Sequence, residues 1–468
     1  MMRPGTAALG AIAAALAACA DTGSRPAAAS DGQARETYAR DPYPSTYRPY
    51  PGVPTLVANV TIYDGEGGRI DNGSVYFADG EVVEMGQSVT APEGVTVIDG
   101  SGKWLTPGII DTHSHLGNYP SPSVDAHADG NEVTGPVRPE VWTEHSVWPQ
   151  DPGFSRALAN GGVTALQILP GSANLFGGRS VTLKNVPART MQAMKFPGAP
   201  YGLKMACGEN PKRVYGNRNQ MPGSRMANIA LARATWIKAA DYDEKWDSYE
   251  AKGGTMPTRD LAMDTLRGVL DGEILVHNHC YRADEMAIMI DMAEEFGYKV
   301  TSFHHAVEAY KIADLLAAAD VCASMWADWW GFKMESYDGV KENIPLVHHA
   351  GGCAIVHSDS ANGIQRLNQE AAKALAHGRR IGLDISDAEA WRWLSYNPAR
   401  AMGIAGMTGS LKPGKMADIV LWNGDPFSVY SRPEKVWVDG ALLYDADDPR
   451  RRPVSDFELG QQGEGDVK

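Results

Sequence analysis

Four short apolar runs in this chain each end in a side chain able to bind a metal ion, and their spacing constrains the fold more than any other feature. Residues 104–110 lead to His113 and His115, residues 274–276 to His277 and His279, residues 300–303 to His304 and His305, and residues 353–356 to His357 and Asp359. The step from 279 to 305 is 26 residues, and that from 305 to 359 is 54, twice 27. About 25 to 35 residues is the length of one strand-helix unit. A silent strand is therefore predicted midway, and residues 320–325 fit it, while residues 308–319 carry apolar positions at helical spacing and fit the connecting helix. The class predicted is α/β, a parallel (β/α)8 TIM-like barrel with the ligand-type residues at the ends of strands one, five, six and eight. That is the face on which barrel enzymes place their chemistry.

On a strand, residues two apart share a face, so His113 and His115 can reach one cation. The order H-x-H, His, His, Asp resembles the metal-dependent amidohydrolase superfamily. Further segments carry the likeness toward its imidazolonepropionase-related branch. Residues 161–165 (Gly-Gly-Val-Thr-Ala) resemble the second strand, 170–174 with Gly177 and Gly178 a loop of that branch, 204–212 its fourth-strand motif, and 282–285 the segment after the fifth-strand histidine. Residues 409–421 are similar to the returning β-segment. The resemblance covers most of the chain. It implies His113, His115, His279, His305 and Asp359 as metal ligands, one or two divalent ions with zinc as the named candidate, and Asp359 as the group that moves the proton.

Two residues compete for a bridging role between two metals, beside the reading that neither bridges and that Lys204 is a surface or substrate-facing cation and Glu209 a loop carboxylate. Lys204 stands where family members with two ions often carry a carboxylated lysine, and Glu209 lies five residues on. His304 and His305 are adjacent on a strand, so only one is expected to enter the barrel mouth; the family spacing to Glu308-Ala309 favours His305. His277 and His357 share faces with His279 and Asp359 one layer deeper and read as packed or supporting histidines.

The chemistry that follows is hydrolysis of an amide, peptide or cyclic-amide bond by metal-activated water, proline-containing dipeptides included. Two other readings stand beside it. Deamination of a heterocycle is disfavoured because mononuclear deaminases of the superfamily usually carry a glutamate three residues after the fifth-strand histidine, where this chain has Arg282. A catalytically silent surface binding protein is disfavoured because no expected ligand is missing. The net charge of −14, with no basic stripe, argues against nucleic acid as a partner. The expected partner is a small molecule or short peptide, and homo-oligomerisation is left open.

The two ends organise the rest. Residues 1–18 read as a lipoprotein signal peptide whose Leu16-Ala17-Ala18-Cys19 box would be cut before Cys19 and the thiol lipidated, giving an envelope protein on the periplasmic face of an outer membrane. Residues 19–52, rich in Ala, Ser, Pro and Tyr, read as a flexible tether. Alternating segments in 53–106 and 406–450 are expected to join as one composite β-sandwich around a barrel over 107–405, leaving 451–468 as a tail. The remaining cysteines, 207, 280, 322 and 353, show no C-x-x-C spacing and read as buried small hydrophobes without a disulfide framework. Residues 116–153 read as a lid over the barrel mouth. Trp326, Trp329 and Trp330 read as pocket or core aromatics, and Arg213, Tyr215 and Arg225 as candidates for a substrate carboxylate or as ordinary surface groups.

Overall fold

The computed structural model describes residues 37–329 and 331–453; Cys19, Trp330 and the leader lie outside them. Five strands precede the barrel: β1 (Thr55–Tyr63), β2 (Arg69–Ala78), β3 (Glu81–Gly86), β4 (Thr96–Asp99) and β5 (Trp104–Pro107). Three follow it: β14 (Ile419–Trp422), β15 (Pro433–Val438) and β16 (Ala441–Asp445). They form one mixed eight-stranded sheet in the order β16-β15-β14-β5-β1-β2-β3, with β4 pairing β1. The join between the chain ends is the antiparallel pair β5–β14, where Leu105 faces Leu421. Val57, Ile62, Phe77, Leu421 and Trp437 share one buried cluster, so neither end has a core without the other.

The second sheet runs in sequence order through β6 (Ile109–Ser114), β7 (Val163–Ile168), β8 (Phe176–Lys184), β9 (Gly202–Ala206), β10 (Leu275–Cys280), β11 (Val300–His305), β12 (Cys322–Met325) and β13 (Cys353–Val356). These strands are buried almost throughout, as expected where helices cover one face and a packed barrel interior the other. The covering helices include α1 (Gly153–Gly161), α2 (Glu209–Gly216), α3 (Arg225–Lys252), α4 (Leu261–Leu270), α5 (Ala283–Phe296), α6 (Ala313–Ala318), α7 (Asn343–His349) and α8 (Leu367–Arg380). The silent strand is β12, and α6 with a preceding 3-10 turn supplies its connection. Together these make a TIM-like barrel beside a separate sheet.

The barrel is not wholly parallel. β8 runs antiparallel to both neighbours, β7 and β9. Only residues 169–175 separate β7 from β8, too few for the dozen or more residues of a helical crossover, so the chain turns straight back. The Gly177-Gly178 pair, expected in a loop, sits inside this strand. Gly178 adopts φ +110°, and a Cβ there would lie 2.2 Å from the Val141 carbonyl oxygen, so the irregular register between Phe176 and Gly178 depends on glycine.

Two further expectations are corrected. Cys207–Cys280 and Cys322–Cys353 are disulfides, with Cα atoms 5.3 and 4.5 Å apart. Their separations of 73 and 31 residues conceal what the barrel brings together. Cys322 and Cys353 are register partners across β12 and β13, while Cys207 and Cys280 lie at the ends of adjacent strands. Nor is the stretch before residue 53 a free tether in its described part. Lys195 Nζ donates to Asp41 at 3.0 Å and to the Tyr43 carbonyl at 2.7 Å, Ser45 Oγ donates to the Lys195 carbonyl at 2.6 Å, and the Tyr47 hydroxyl meets Asp439. The overall Ala, Ser and Pro bias hid these charged and aromatic anchors. Among the described residues no helix is long and apolar enough to cross a membrane.

Each disulfide closes a long loop and restricts the unfolded chain, so removing either is expected to cost about 2–5 kcal/mol. Urea unfolding of Cys353→Ser beside the parent chain, with and without reductant, checks this: the midpoint should fall in the variant and reductant should add less to it. Coincident curves for parent and variant would mean that the second pair does not bridge.

Candidate metal centre

Three strand ends and the turn after a fourth strand converge at the mouth of the barrel. His113 and His115 come from β6 and its exit, His279 from β10, His305 from β11, and Asp359 from the turn after β13. His113 Nε2 lies 3.3 Å from His115 Nε2 and 3.4 Å from Asp359 Oδ1, and His115 Nε2 lies 3.2 Å from the same oxygen. Ligand atoms about 2.0–2.1 Å from a tetrahedral zinc are separated by about 3.3–3.4 Å. The three atoms therefore already stand at the edges of one coordination tetrahedron. His305 Nδ1 lies 3.9 Å from Asp359 Oδ2, is buried and has no hydrogen-bond partner; His279 Nδ1 is buried and unpartnered as well. Buried polar atoms left open in this way fit a cation that completes them.

The supporting contacts orient these groups. His115 Nδ1 lies 2.8 Å from the Leu169 carbonyl and can only donate to it, which leaves the Nε2 lone pair facing Asp359. Asp111 is buried and accepts the backbone N–H groups of His113 at 3.1 Å and Ser358 at 3.2 Å, with the Ser358 hydroxyl as a third donor. Asp359 takes φ +52°, and its N–H donates to the His113 carbonyl at 2.9 Å. Strand eight is thereby tied to strand one where the carboxylate leaves the chain. Burial opposes ionisation of Asp359, but the surrounding positive charge, from the imidazoles of His115 and His357 when protonated and from Lys204, outweighs burial and holds its pKa below the usual carboxylate range.

The two adjacent histidines of β11 do not divide between inside and outside. His113 meets both rings, with centroids 4.8 Å away in each case. His305 and Ala306 take φ +71° and +40°, so the strand's two-residue alternation ends at His304 and the next ring swings back inward. His305 stacks on Trp326 at 4.1 Å, and its N–H donates to His357 Nε2 at 3.1 Å. His304 bridges His113 and His277, Nδ1 to Nδ1 at 2.9 Å and Nε2 to Nδ1 at 2.9 Å.

Lys204 and Glu209 are separated by the fold. Lys204 is buried, donates to the Pro170 carbonyl at 2.9 Å, and is held by desolvation down to about 7, with Asp359 pulling the other way. Its charge lies close enough to lower the pKa of His113, His279 and His305, after burial itself. Glu209 instead pairs with Lys333 at 3.2 Å on the rim. Of the three carboxylate-binding candidates, only Arg213 faces the cavity. It makes no hydrogen bond or ion pair among the described residues, whereas Arg225 pairs with Glu285 and Glu335, and the buried Tyr215 hydroxyl donates to the Gly135 carbonyl at 2.7 Å.

The cavity over these groups is about 580 Å³. Its walls differ sharply. Trp326, Trp329, Phe332 and Tyr281 form an aromatic side, with Trp329 stacked on Trp326 at 5.2 Å and the Lys333 ammonium 4.0 Å above the Tyr281 ring. Ser172, Glu209, Asn210 and Arg213 form a polar one. The loop between β6 and α1 contributes Tyr119 and Asn131, joined by a 2.7 Å hydrogen bond, so part of the expected lid does line the cavity. Sequence reading gave no role to Asp111, Asn210 or Tyr281, although Asp111 stands two residues before His113 in the same buried strand and Asn210 lies within the 204–212 motif.

The buried histidines predict a pH profile for the metal-free protein. Desolvation lowers His277 to about 3 and His357 to about 4, and drives His113, His279, His304 and His305 well below 6.5. Below about 6.5 the unfolded chain binds protons that the folded chain refuses, so stability falls as pH falls, by about 1.4 kcal/mol per pH unit for each such group. Asp111, raised by burial to about 7, acts in the opposite direction as a single group. Urea midpoints of chelator-treated protein should therefore drop steadily from pH 7 to pH 5; a flat profile would mean the imidazoles are solvated.

The pattern of the Amidohydrolase family matches residues 253–443. A solved amidohydrolase structure from Thermotoga maritima MSB8 superposes with a TM-score of 0.77 at 33% identity, covering 84% of this chain and 100% of that one. The amidohydrolase tasK of Hapsidospora irregularis is 29% identical over 433 residues, 84% of this chain, and the chain spans 43% of that relative's length. An imidazolonepropionase of Mesorhizobium japonicum is 23% identical over 400 residues, 78% of this chain and 90% of that protein. The chain is 33% identical to the Thermotoga maritima amidohydrolase over the whole length of that protein and carries the family's pattern, and it belongs to the amidohydrolase family.

Proposed function

We propose that the protein hydrolyses an amide, peptide or cyclic-amide bond at this centre, with His113, His115, His279, His305 and Asp359 holding one or two divalent ions, zinc the leading candidate. The observation that carries the reading is the triangle of His113 Nε2, His115 Nε2 and Asp359 Oδ1, with sides of 3.2–3.4 Å, at the floor of an open cavity. A divalent ion there supplies Lewis acidity toward the scissile carbonyl and lowers the pKa of water from 15.7 to about 7. Asp359 takes the proton from the attacking water and returns it to the departing nitrogen. Its depressed pKa keeps it ionised and ready to accept, and the β13–β6 seam fixes its direction. Lys204, partly neutral near pH 7 and beside the histidines, is the better placed of the two candidate bridges; Glu209 is engaged by Lys333.

The cavity walls narrow the substrate. A bulky apolar or aromatic group fits the Trp326–Trp329 side, and the unpaired Arg213 fits an anionic or strongly polar group on the other. Short peptides and N-acyl amino acids combine these features. Arg282, where a deaminase of this superfamily would carry glutamate, pairs with Asp284 at 2.7 Å outside the cavity, so the deaminase reading gains nothing. Export and lipidation at Cys19 belong to the same proposal, and two disulfides accord with an oxidising compartment.

Turnover of a panel of dipeptides, N-acyl amino acids and cyclic amides, measured together with metal content, tests the reading. Asp359→Asn keeps an oxygen ligand but accepts no proton at neutral pH, and a loss of about 10² to 10⁴ in kcat is expected with metal largely retained. Near-normal turnover in the fully metallated variant would remove Asp359 from the mechanism. Trp329→Ala should lower kcat/KM about 3- to 10-fold for aromatic substrates and leave small aliphatic ones unchanged; equal losses on both would remove the aromatic wall from recognition.

A further inference from the structure

We propose that His304 and His277 are positioning residues: with His113 they form a three-imidazole chain whose hydrogens reverse direction when a cation binds, setting the tautomer of His113. This rests on the metal-site reading above. The geometry is a continuous line of contacts, His113 Nδ1 to His304 Nδ1 at 2.9 Å and His304 Nε2 to His277 Nδ1 at 2.9 Å, through rings that are 0–1% exposed. His277 Nε2 ends the line, buried and without a hydrogen-bond partner.

A neutral imidazole has one N–H and one lone pair, so the three rings must alternate in step. Rings this deeply buried, bonded only to one another along the line, are cheapest as neutral imidazoles. In one arrangement His113 Nε2–H faces Asp359 Oδ1 at 3.4 Å, His304 donates from Nδ1 to His113, and His277 donates from Nδ1 to His304. The buried end of the line is then a bare lone pair on His277. In the other, the Nε2 lone pair of His113 faces the cradle, His113 donates to His304, His304 donates to His277, and the last N–H sits unpartnered on His277. No proton is gained or lost between them; three hydrogens change sides.

A buried N–H with no acceptor is costlier than a bare buried lone pair, so the metal-free chain favours the first arrangement. Only the second offers Nε2 to a cation. Two non-ligand histidines therefore report on, and tune, occupancy of the site. Metal-bound histidines usually donate to a carboxylate or a carbonyl, and a carboxylate raises ligand basicity. A neutral imidazole acceptor adds no charge and leaves the cation the stronger Lewis acid. The 2.9 Å Nδ1–Nδ1 distance is a hydrogen bond, shorter than the about 3.3 Å edge between ligands of a tetrahedral zinc, which sets this trio apart from a second metal site.

The test uses the full chain, Zn²⁺ with a competing chelator, and ¹⁵N-histidine NMR. On adding Zn²⁺, His304 and His277 should exchange which nitrogen is protonated without showing a coordination shift. Affinity for Zn²⁺ should fall about 10- to 100-fold in His304→Leu. It should stay close to the parent in His304→Asn, whose Oδ1 can accept from His113 Nδ1 as His304 Nδ1 does. Thermal melting of the metal-free variants controls for folding. Equal weakening by Leu and Asn, unchanged affinity in His304→Leu, or a coordination shift on His304 would each overturn the proposal while leaving the metal site intact. A parent chain that takes up no divalent ion would overturn both.

Discussion

The seam between β13 and β6 is closed by the Asp359 N–H on the His113 carbonyl and by Ser358 on Asp111, and the centre depends on those contacts. The two strands do not form a regular ladder; residues just beyond β13 reach across instead. Closing the barrel and aiming the carboxylate are thus one event. Asp359 holds φ +52° with its own N–H on the His113 carbonyl and the preceding Ser358 N–H on the Asp111 carboxylate, a conformation aspartate tolerates better than bulky residues. A turn residue tied down by the closure of the barrel is held more firmly than one on a free loop, as the proposed proton transfer would require.

Burial of so many imidazoles is the second condition. His113, His277, His279, His304, His305 and His357 are all at most 2% exposed, and Lys204 lies among them. Six charged rings in that volume would be prohibitively costly, whereas neutral rings need only hydrogen bonds or a cation. The ring-to-ring bonds, the His305 N–H on His357 and the open nitrogens of His279 and His305 account for this arrangement. The same low-dielectric pocket lowers the Lys204 ammonium toward neutrality.

Around this centre the barrel is asymmetric. Reversal of β8 follows from a seven-residue connection and sets a hairpin where a helix would otherwise cover the sheet. The docked segment before β1 ties to this region through Lys195, Tyr201 and Asp439, while the β5–β14 pair makes the two ends of the chain one sheet. Disulfides join β9 to β10 and β12 to β13, the strands next to His279 and Asp359. Both cross-links therefore brace strands that lead to the ligand-type residues.

The sequence by itself determined what repeats locally. Apolar runs ending in histidine or aspartate at about 27-residue intervals located the barrel strands and brought His113, His115, His279, His305 and Asp359 to one end, since a strand's length and exit are encoded by its own residues. Alternating segments at the two ends likewise announced one β domain shared by both ends, read from sequence as a sandwich. Only tertiary structure decided the rest: the direction of β8, the cysteine pairs, the entry of both His304 and His305, the clamp by Asp111, and the capture of Glu209 by Lys333 while Lys204 stayed beside the histidines. Each depends on a partner tens to hundreds of residues away, or on one residue's backbone angle at a strand end. No window of sequence contains those partners, and closure of the barrel is what makes them neighbours.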